Sequence, residues 1–313
     1  MNKKMLIRLG VIAIVLVGIF AAIVYGTYYH DVRFYTKYGE LTRDANRFFQ
    51  DGEYENSMAC VEEAIEMLPQ DISNYHMKAY IYYEMGDEQA AKEQATWTVE
   101  NSSNSMSKCE NLLFRAGLYS EMGLEELAMA DYDAAIELVP DYPDLYSSRA
   151  SALSLNGNYE AAVADYAKML ELNPNSAIAY WNRGCGYYKL GEFELAEKDF
   201  TSAKEVVRSA GEMAGLHTDW AICEYRSGDL EGAKEKLAQA YEYYPEFVTH
   251  MADYLVKMPP LEEIQGPISP VMQLIVEPVD LPIICYIVST CAAELEVLSA
   301  EDAAILAAKS GIN

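Results

Sequence analysis

Residues 146–174 read YSSRASALSLNGNYEAAVADYAKMLELNP, and residues 180–203 read YWNRGCGYYKLGEFELAEKDFTSA. Laid over one another they align at Tyr146/Tyr180, Ala150/Gly184, Leu153/Tyr187, Gly157/Gly191, Tyr159/Phe193, Ala162/Ala196 and Tyr166/Phe200. Working outward, the glycine recurs as Gly52, Gly86, Gly123, Gly157, Gly191 and Gly228, at intervals of 34, 37, 34, 34 and 37 residues. A small residue stands seven places before each glycine: Ala45, Ala79, Ala116, Ala150, Gly184 and Ala221. Another stands five places after: Ser57, Ala91, Ala128, Ala162, Ala196 and Ala233. A motif repeated at this period marks stacked helical hairpins. Helix A stops at the glycine, which takes a left-handed conformation without a Cβ penalty. The small residues fall where helix A crosses helix B and the axes must approach. Pro69, Pro140, Pro174 and Pro245 end four of the units, since proline lacks an N–H and restricts the residue before it. Phe48, Tyr82, Tyr119, Leu153 and Tyr187 are the larger inward residues expected on the A helices. Tyr132, Tyr166, Phe200 and Leu237 are their counterparts on the B helices.

These residues resemble the tetratricopeptide repeat (TPR) family over roughly residues 38–245, about two thirds of the chain. The resemblance implies an all-α fold, a right-handed superhelical solenoid. Its six units run over about 38–71, 72–105, 109–142, 143–176, 177–210 and 214–246. The two intervals of 37 predict three extra residues in the loops at 101–107 and 207–211, where an insertion costs little.

Acidic residues outnumber basic ones by 49 to 23, a formal charge of −26. That balance excludes nucleic acid as a partner, because phosphates need a basic surface. It also opposes adhesion to anionic lipid and favours a cationic segment of a partner protein. A charged, self-repelling, soluble surface is the plainer reading of the same balance.

The first residues differ from the rest. Residues 1–8 carry Lys3, Lys4 and Arg8 and no acid; Leu9–Gly26 is then uncharged and almost wholly apolar over 18 residues. That length meets the requirement of a membrane span, so a transmembrane signal-anchor helix is expected over 9–27. Tyr25, Tyr28 and Tyr29 suit the interfacial aromatic belt, and the basic flank predicts a cytoplasmic N-terminus with extracytoplasmic repeats. A cleaved signal peptide, giving a secreted adaptor, is the rival reading. Gly18, Ala22 and Gly26 form a small-xxx-small series, a pattern able to pack two such helices into a homodimer.

Cys60, Cys109, Cys185, Cys223, Cys285 and Cys291 are scattered, with no C-x-x-C and no zinc spacing. Buried free thiols are the default reading. Cys185 and Cys223 occupy neighbouring repeat positions and make the alternative, a disulfide. His30, His76, His217 and His250 are isolated, and no H-E-x-x-H, G-x-S-x-G or phosphate loop is present. Gly184-Cys185-Gly186 falls inside a helix A, where it cannot cradle phosphate. No enzyme activity and no cofactor or metal are expected.

In the TPR family the A helices line a concave groove. Carried over position by position, the resemblance places His76, Tyr80 and Tyr83 of the second unit there, and Phe114 of the third. Ser147 and Ser151 follow from the fourth, Trp181, Asn182 and Tyr188 from the fifth, and Tyr225 and Arg226 from the sixth. A serine floor between aromatic walls suits an extended peptide or a partner's helix: hydroxyls hydrogen-bond a ligand backbone, and rigid aromatic rings supply contact area. The alternative is that these rings only mirror a chain with 25 tyrosines, and that the solenoid is a structural, oligomerising scaffold without a peptide ligand. The carboxylate clamp of the chaperone-tail-binding TPR subgroup is not matched. Thr42, Met77, Ser147, Ser151, Gly215 and Asp219 stand where its basic or amide groups belong.

Beyond the repeats, Phe247–Lys257 is expected to cap the stack as a helix, and Pro259-Pro260 to break it. An extended linker is predicted over 258–280 and a divergent helix pair over 281–313, with a capping box at Ser299-Ala-Glu-Asp302 and Gly311 after the last helix. The uncharged stretch Leu281–Ala293, 13 residues, is too short for a second span. The layout is similar to that of bacterial membrane-anchored TPR proteins, which implies assistance to envelope or secretion complexes.

Overall fold

The computed structural model describes residues 33–257, 283–289 and 300–311. All regular structure among them is helical. The helices are α1 (33–50), α2 (Tyr54–Met67), α3 (Ile72–Glu84), α4 (Glu88–Glu100), α5 (Ser105–Glu121) and α6 (Glu125–Leu138). They continue with α7 (Pro143–Leu155), α8 (Tyr159–Leu172), α9 (Ala177–Lys189), α10 (Phe193–Val206), α11 (Ala210–Ser227) and α12 (Leu230–Tyr243). After these come α13 (Pro245–Lys257), α14 (283–289) and α15 (Ala300–Ser310). Each odd-numbered helix from α1 to α11 is a helix A and pairs with the next as its helix B. The chain divides into two compact units at Val139–Pro140, the first ending with α6 and the second opening before α7.

All six turn glycines adopt positive φ, from +69° at Gly123 to +96° at Gly228. The turn is built alike each time: the N–H of the residue after the glycine returns to a carbonyl five residues back, as from Asn158 to Leu153 (2.8 Å) and Glu192 to Tyr187 (2.9 Å). The small residues stand at the crossings. Ala79, Ala116, Ala150 and Ala221 are fully buried, and so are Ala91, Ala128, Ala162, Ala196 and Ala233. In the first hairpin Ser57 takes the B-helix position and donates its hydroxyl to Ala45 O (2.8 Å). At Gly184 an added Cβ would stand 3.0 Å from the Phe200 ring, so the larger B-helix residue is matched by the smaller A-helix one.

The two three-residue insertions are not loops. They lengthen helix A at its N-terminus: α5 has 17 residues and α11 has 18, against 13 in α3, α7 and α9. The third unit therefore becomes helical at Ser105 rather than 109, and the sixth at Ala210 rather than 214. The physical reason lies in two caps. Asn104 Oδ1 accepts from Ser107 N (2.9 Å), and Ser209 Oγ accepts from Glu212 N (3.1 Å) while donating to Glu212 Oε2.

Helix α13 begins at Pro245, two residues before the expected start at Phe247, and Gly311 follows α15 at φ +62°. Lys309 of α15 donates to Leu255 O (2.9 Å) and Val256 O (2.6 Å), two of the carbonyls that the end of α13 leaves unpaired. Ile284, Cys285, Ile287, Val288 and Leu306 are buried in one core with Leu237, Ala240 and Leu255. The expected anchor at 9–27, the linker at 258–280 and the capping residue Ser299 lie outside the described residues. Among the described residues no helix is long and apolar enough to cross a membrane. The described cysteines are free; Cys185 and Cys223 form no bridge, and the Cys185 thiol points instead to Asp219 Oδ2 (3.6 Å).

Candidate partner-binding surface

In the compact unit that ends at Val139, α3 and α5 bring four of the expected residues together. His76 stacks on Phe114 at 3.8 Å and 16°, and Tyr80 meets the same ring edge-on at 5.5 Å. His76 Nε2 donates to Asn111 Oδ1 (2.8 Å). Asn111, buried, passes the restraint on through its amide to Thr98 O (2.8 Å) and Ser102 Oγ (3.0 Å). Burial lowers the His76 pKa, so the ring is neutral at neutral pH. Tyr83 donates to Glu121 O (2.9 Å), and Tyr80 reaches Glu121 Oε1 at 3.5 Å. Burial, and then Glu121, push Tyr80 up to about 12. Burial raises Glu121 in turn, with Glu84 adding a repulsive contribution. The result is an aromatic surface edged by carboxylates, all on A helices.

In the compact unit that opens at Pro140, α7 and α9 carry a polar surface. Ser151 is exposed and donates to Ser147 O (2.9 Å). Its hydroxyl lies 3.2 Å from the Tyr166 hydroxyl, to which Asn182 also hydrogen-bonds. Tyr166 itself is buried on α8. Its ring is core, as expected, while its hydroxyl is the base on which Ser151 and Asn182 rest. Trp181 is pinned on two sides: Nε1 donates to Asp219 Oδ2 (2.7 Å), and the six-membered ring of the indole packs against Gly215, where an added Cβ would stand 2.7 Å from the ring. Two expected residues are not presented as open groove walls. Tyr188 is buried, with Lys189 Nζ 5.0 Å and the Arg226 guanidinium 5.9 Å from its ring centroid. Tyr225 is half-buried and meets Tyr286 of α14 at 5.6 Å, so the chain's own C-terminal segment packs beside it.

One constellation went unread in the sequence. In the third, fourth and fifth hairpins an A-helix arginine grips a B-helix aspartate sixteen residues on, through two hydrogen bonds. Arg115 holds Asp131 at 2.7 and 2.7 Å, Arg149 holds Asp165 at 2.7 and 2.7 Å, and Arg183 holds Asp199 at 2.7 and 2.8 Å. The aspartates are buried and the guanidiniums half-buried. Tyrosine rings surround the arginine: Tyr119 lies 5.7 Å from Arg115, and Tyr180 and Tyr187 lie 5.8 and 5.9 Å from Arg183. The fork geometry makes each pair a directional tie between helix A and helix B. In the sixth hairpin the same two positions hold Trp220 and Lys236, and the ammonium sits 4.1 Å over the indole. There His217 stacks between Trp220 (5.7 Å) and Tyr243 (5.4 Å), buried and with neither ring nitrogen hydrogen-bonded within the described residues.

The fold defines a helical-repeat scaffold, and comparison with known proteins agrees. A family model described as "TPR repeat" matches residues 151–191, and one described as "Tetratricopeptide repeat" matches residues 72–95 and 110–142. The chain is 29% identical over 92 residues to the Hsp70-Hsp90 organising protein of Plasmodium falciparum (isolate 3D7), a stretch that is 29% of this chain and 16% of that protein. Among solved structures, it is similar to the C-terminal part of a TPR repeat-containing protein from Cytophaga hutchinsonii. That likeness has TM-score 0.53 and 16% identity and covers 84% of this chain and 98% of that one. It is also similar to a monomeric mutant of IFIT1 solved with Gppp-AAAA, with TM-score 0.54, 13% identity, and 81% of this chain and 57% of that one covered. These likenesses show an all-helical TPR fold; repeats of this kind mediate protein–protein interaction.

Proposed function

We propose that the chain is a membrane-tethered TPR scaffold whose A-helix surfaces hold an extended peptide or a helix of a partner protein. The observation that carries the reading is Trp181. Its indole is held by Asp219 and seated on Gly215, next to Asn182 and within the same unit as Ser151. An aromatic anchor locked before binding loses little entropy on association, which is what a binding hot spot requires. The chaperone-organising relative supports a role among other proteins. It does not carry tail recognition with it, since Thr42, Met77, Ser147 and Asp219 stand at the clamp positions. The tether is proposed on the apolar stretch Leu9–Gly26 and its basic flank, which support repeats facing outside the cytoplasm; the likeness in layout to membrane-anchored TPR proteins supports an assisting role at envelope or secretion complexes.

The test is affinity capture from native membranes with crosslinking and mass spectrometry. Trp181→Ala and His76→Ala/Tyr80→Ala are compared with the wild-type chain. Partners recovered with wild type are expected to be depleted with at least one variant; a partner set unchanged by both would sink the reading. Alkaline carbonate washing tests the tether separately, and the protein is expected to stay with the membrane pellet.

A further inference from the structure

The second hairpin keeps the setting of the arginine tie but not the arginine. Arg183 of α9 sits between Tyr180 and Tyr187. The equivalent rings on α3 are Tyr75 and Tyr82, yet the position between them holds Lys78, and the aspartate's position on α4 holds Gln94. Lys78 turns toward α2, where Nζ donates to Glu62 (2.8 Å). Arg115 reaches back in the same way, with Nη1 donating to Thr96 of α4 (3.3 Å), but its remaining nitrogens still grip Asp131. A point-like ammonium cannot bridge both neighbours as a guanidinium fork does. Between α3 and α4 this leaves a solvent-open cleft of about 420 Å³, lined by Tyr75, Tyr82, Ala90, Glu93, Gln94 and Trp97. Tyr75 and Trp97 stack at 4.2 Å and 23°, and Tyr75 is further fixed by donating to Pro69 O (3.0 Å).

We infer that this cleft receives an arginine side chain of a partner protein, supplying in trans the group that three other hairpins supply in cis. The aromatic frame has tyrosines at the two positions that flank Arg183, and Trp97, stacked on Tyr75, adds a third ring. The acceptors are the Glu93 carboxylate and the Gln94 side-chain carbonyl, both in the lining. No cationic residue lines the cleft; the nearby Lys78 is paired with Glu62 and lies 5.8 Å from the Tyr82 ring. The surplus of acid, 49 residues to 23, attracts a basic segment from a distance. Arginine fits better than lysine because its flat, weakly hydrated cation stacks on rings while its fork meets a carboxylate. The site is separate from the A-helix surface that carries His76, Tyr80 and Tyr83, and it stands or falls independently of that surface.

The chain's three tryptophans make the test direct, because each indole N–H gives its own resonance in a nitrogen-correlated spectrum of the full chain. Trp97→Phe assigns the one that matters. A short capped peptide with a central arginine is titrated at low salt, alongside versions with lysine and with citrulline. The arginine peptide is expected to shift the Trp97 signal saturably, with the citrulline peptide at least about tenfold weaker. The double change Lys78→Arg/Gln94→Asp installs the tie of the other hairpins and is expected to abolish the response at Trp97. Should that variant fail to fold, Glu93→Gln alone is expected to weaken arginine binding while retaining the circular dichroism of the wild type. A Trp97 signal unmoved by the arginine peptide, moved equally by citrulline, or still responsive after the double change overturns the inference. So does a shift confined to Trp181.

Discussion

The third, fourth and fifth hairpins carry the same Arg–Asp tie; the second and sixth fill the same two positions with Lys78/Gln94 and Trp220/Lys236. The backbone turn, the small residues at the crossing and the 16-residue offset do not change. What changes is the bond between helix A and helix B: a forked ion pair in three hairpins, an open cleft in one, a cation over an indole in another. The repeat thus holds its shape through small residues and glycines and spends its individuality on one exchangeable pair of side chains.

The largest expected effect comes from breaking the tie. Arg183→Ala strands the buried Asp199 carboxylate and is expected to cost about 3 kcal/mol, read as a fall in the urea midpoint. Lys78→Ala, at the equivalent place, removes a partner from the exposed Glu62 and is expected to cost at most about 1 kcal/mol. Equal losses in the two variants would erase the distinction. Installing the tie with Lys78→Arg/Gln94→Asp is expected to stabilise by about 1 kcal/mol, visible as a higher melting temperature. The sixth hairpin supplies a smaller, pH-dependent contrast. Burial, then Lys204 and Lys236, lower His217 from 6.5 to about 4. The unfolded chain therefore binds a proton at higher pH than the folded one, and stability should fall as pH drops from about 6.5 toward 4. His217→Phe is expected to flatten that part of the stability–pH curve relative to wild type. Lys236→Ala should make the fall smaller and end it at a higher pH, because one of the charges that disfavour the imidazolium is gone while the unfolded-state value near 6.5 is unchanged.

The periodic part of this structure was legible in the sequence because a glycine at positive φ and an alanine at a crossing leave little choice of residue. The extra helical turns before residues 109 and 214 were not legible. Asn104 and Ser209 cap helices here, and the same residue types make loops elsewhere. At the candidate surface the positions of Trp181, Asn182 and Ser151 followed from the repeat, but the partners that hold them did not. Asp219 reaches Trp181 from the next A helix, and Tyr166 contributes a hydroxyl from a residue that reads as core. The contact of Tyr225 with Tyr286 was not legible, because periodicity says nothing about a segment beyond the last repeat. The Arg–Asp ties were visible in principle, as an Arg and an Asp sixteen apart recurring at 115, 149 and 183. Charges on helices usually read as solvated, and that hid them.

Each tie joins residues only sixteen apart, so each hairpin can close its own bond early, without waiting for distant chain. The ties are consecutive in the chain, with untied hairpins before and after them. Loss of structure should therefore begin at both ends and arrive last at the stretch from Arg115 to Asp199, which amide exchange would reveal as the slowest-opening portion of the chain.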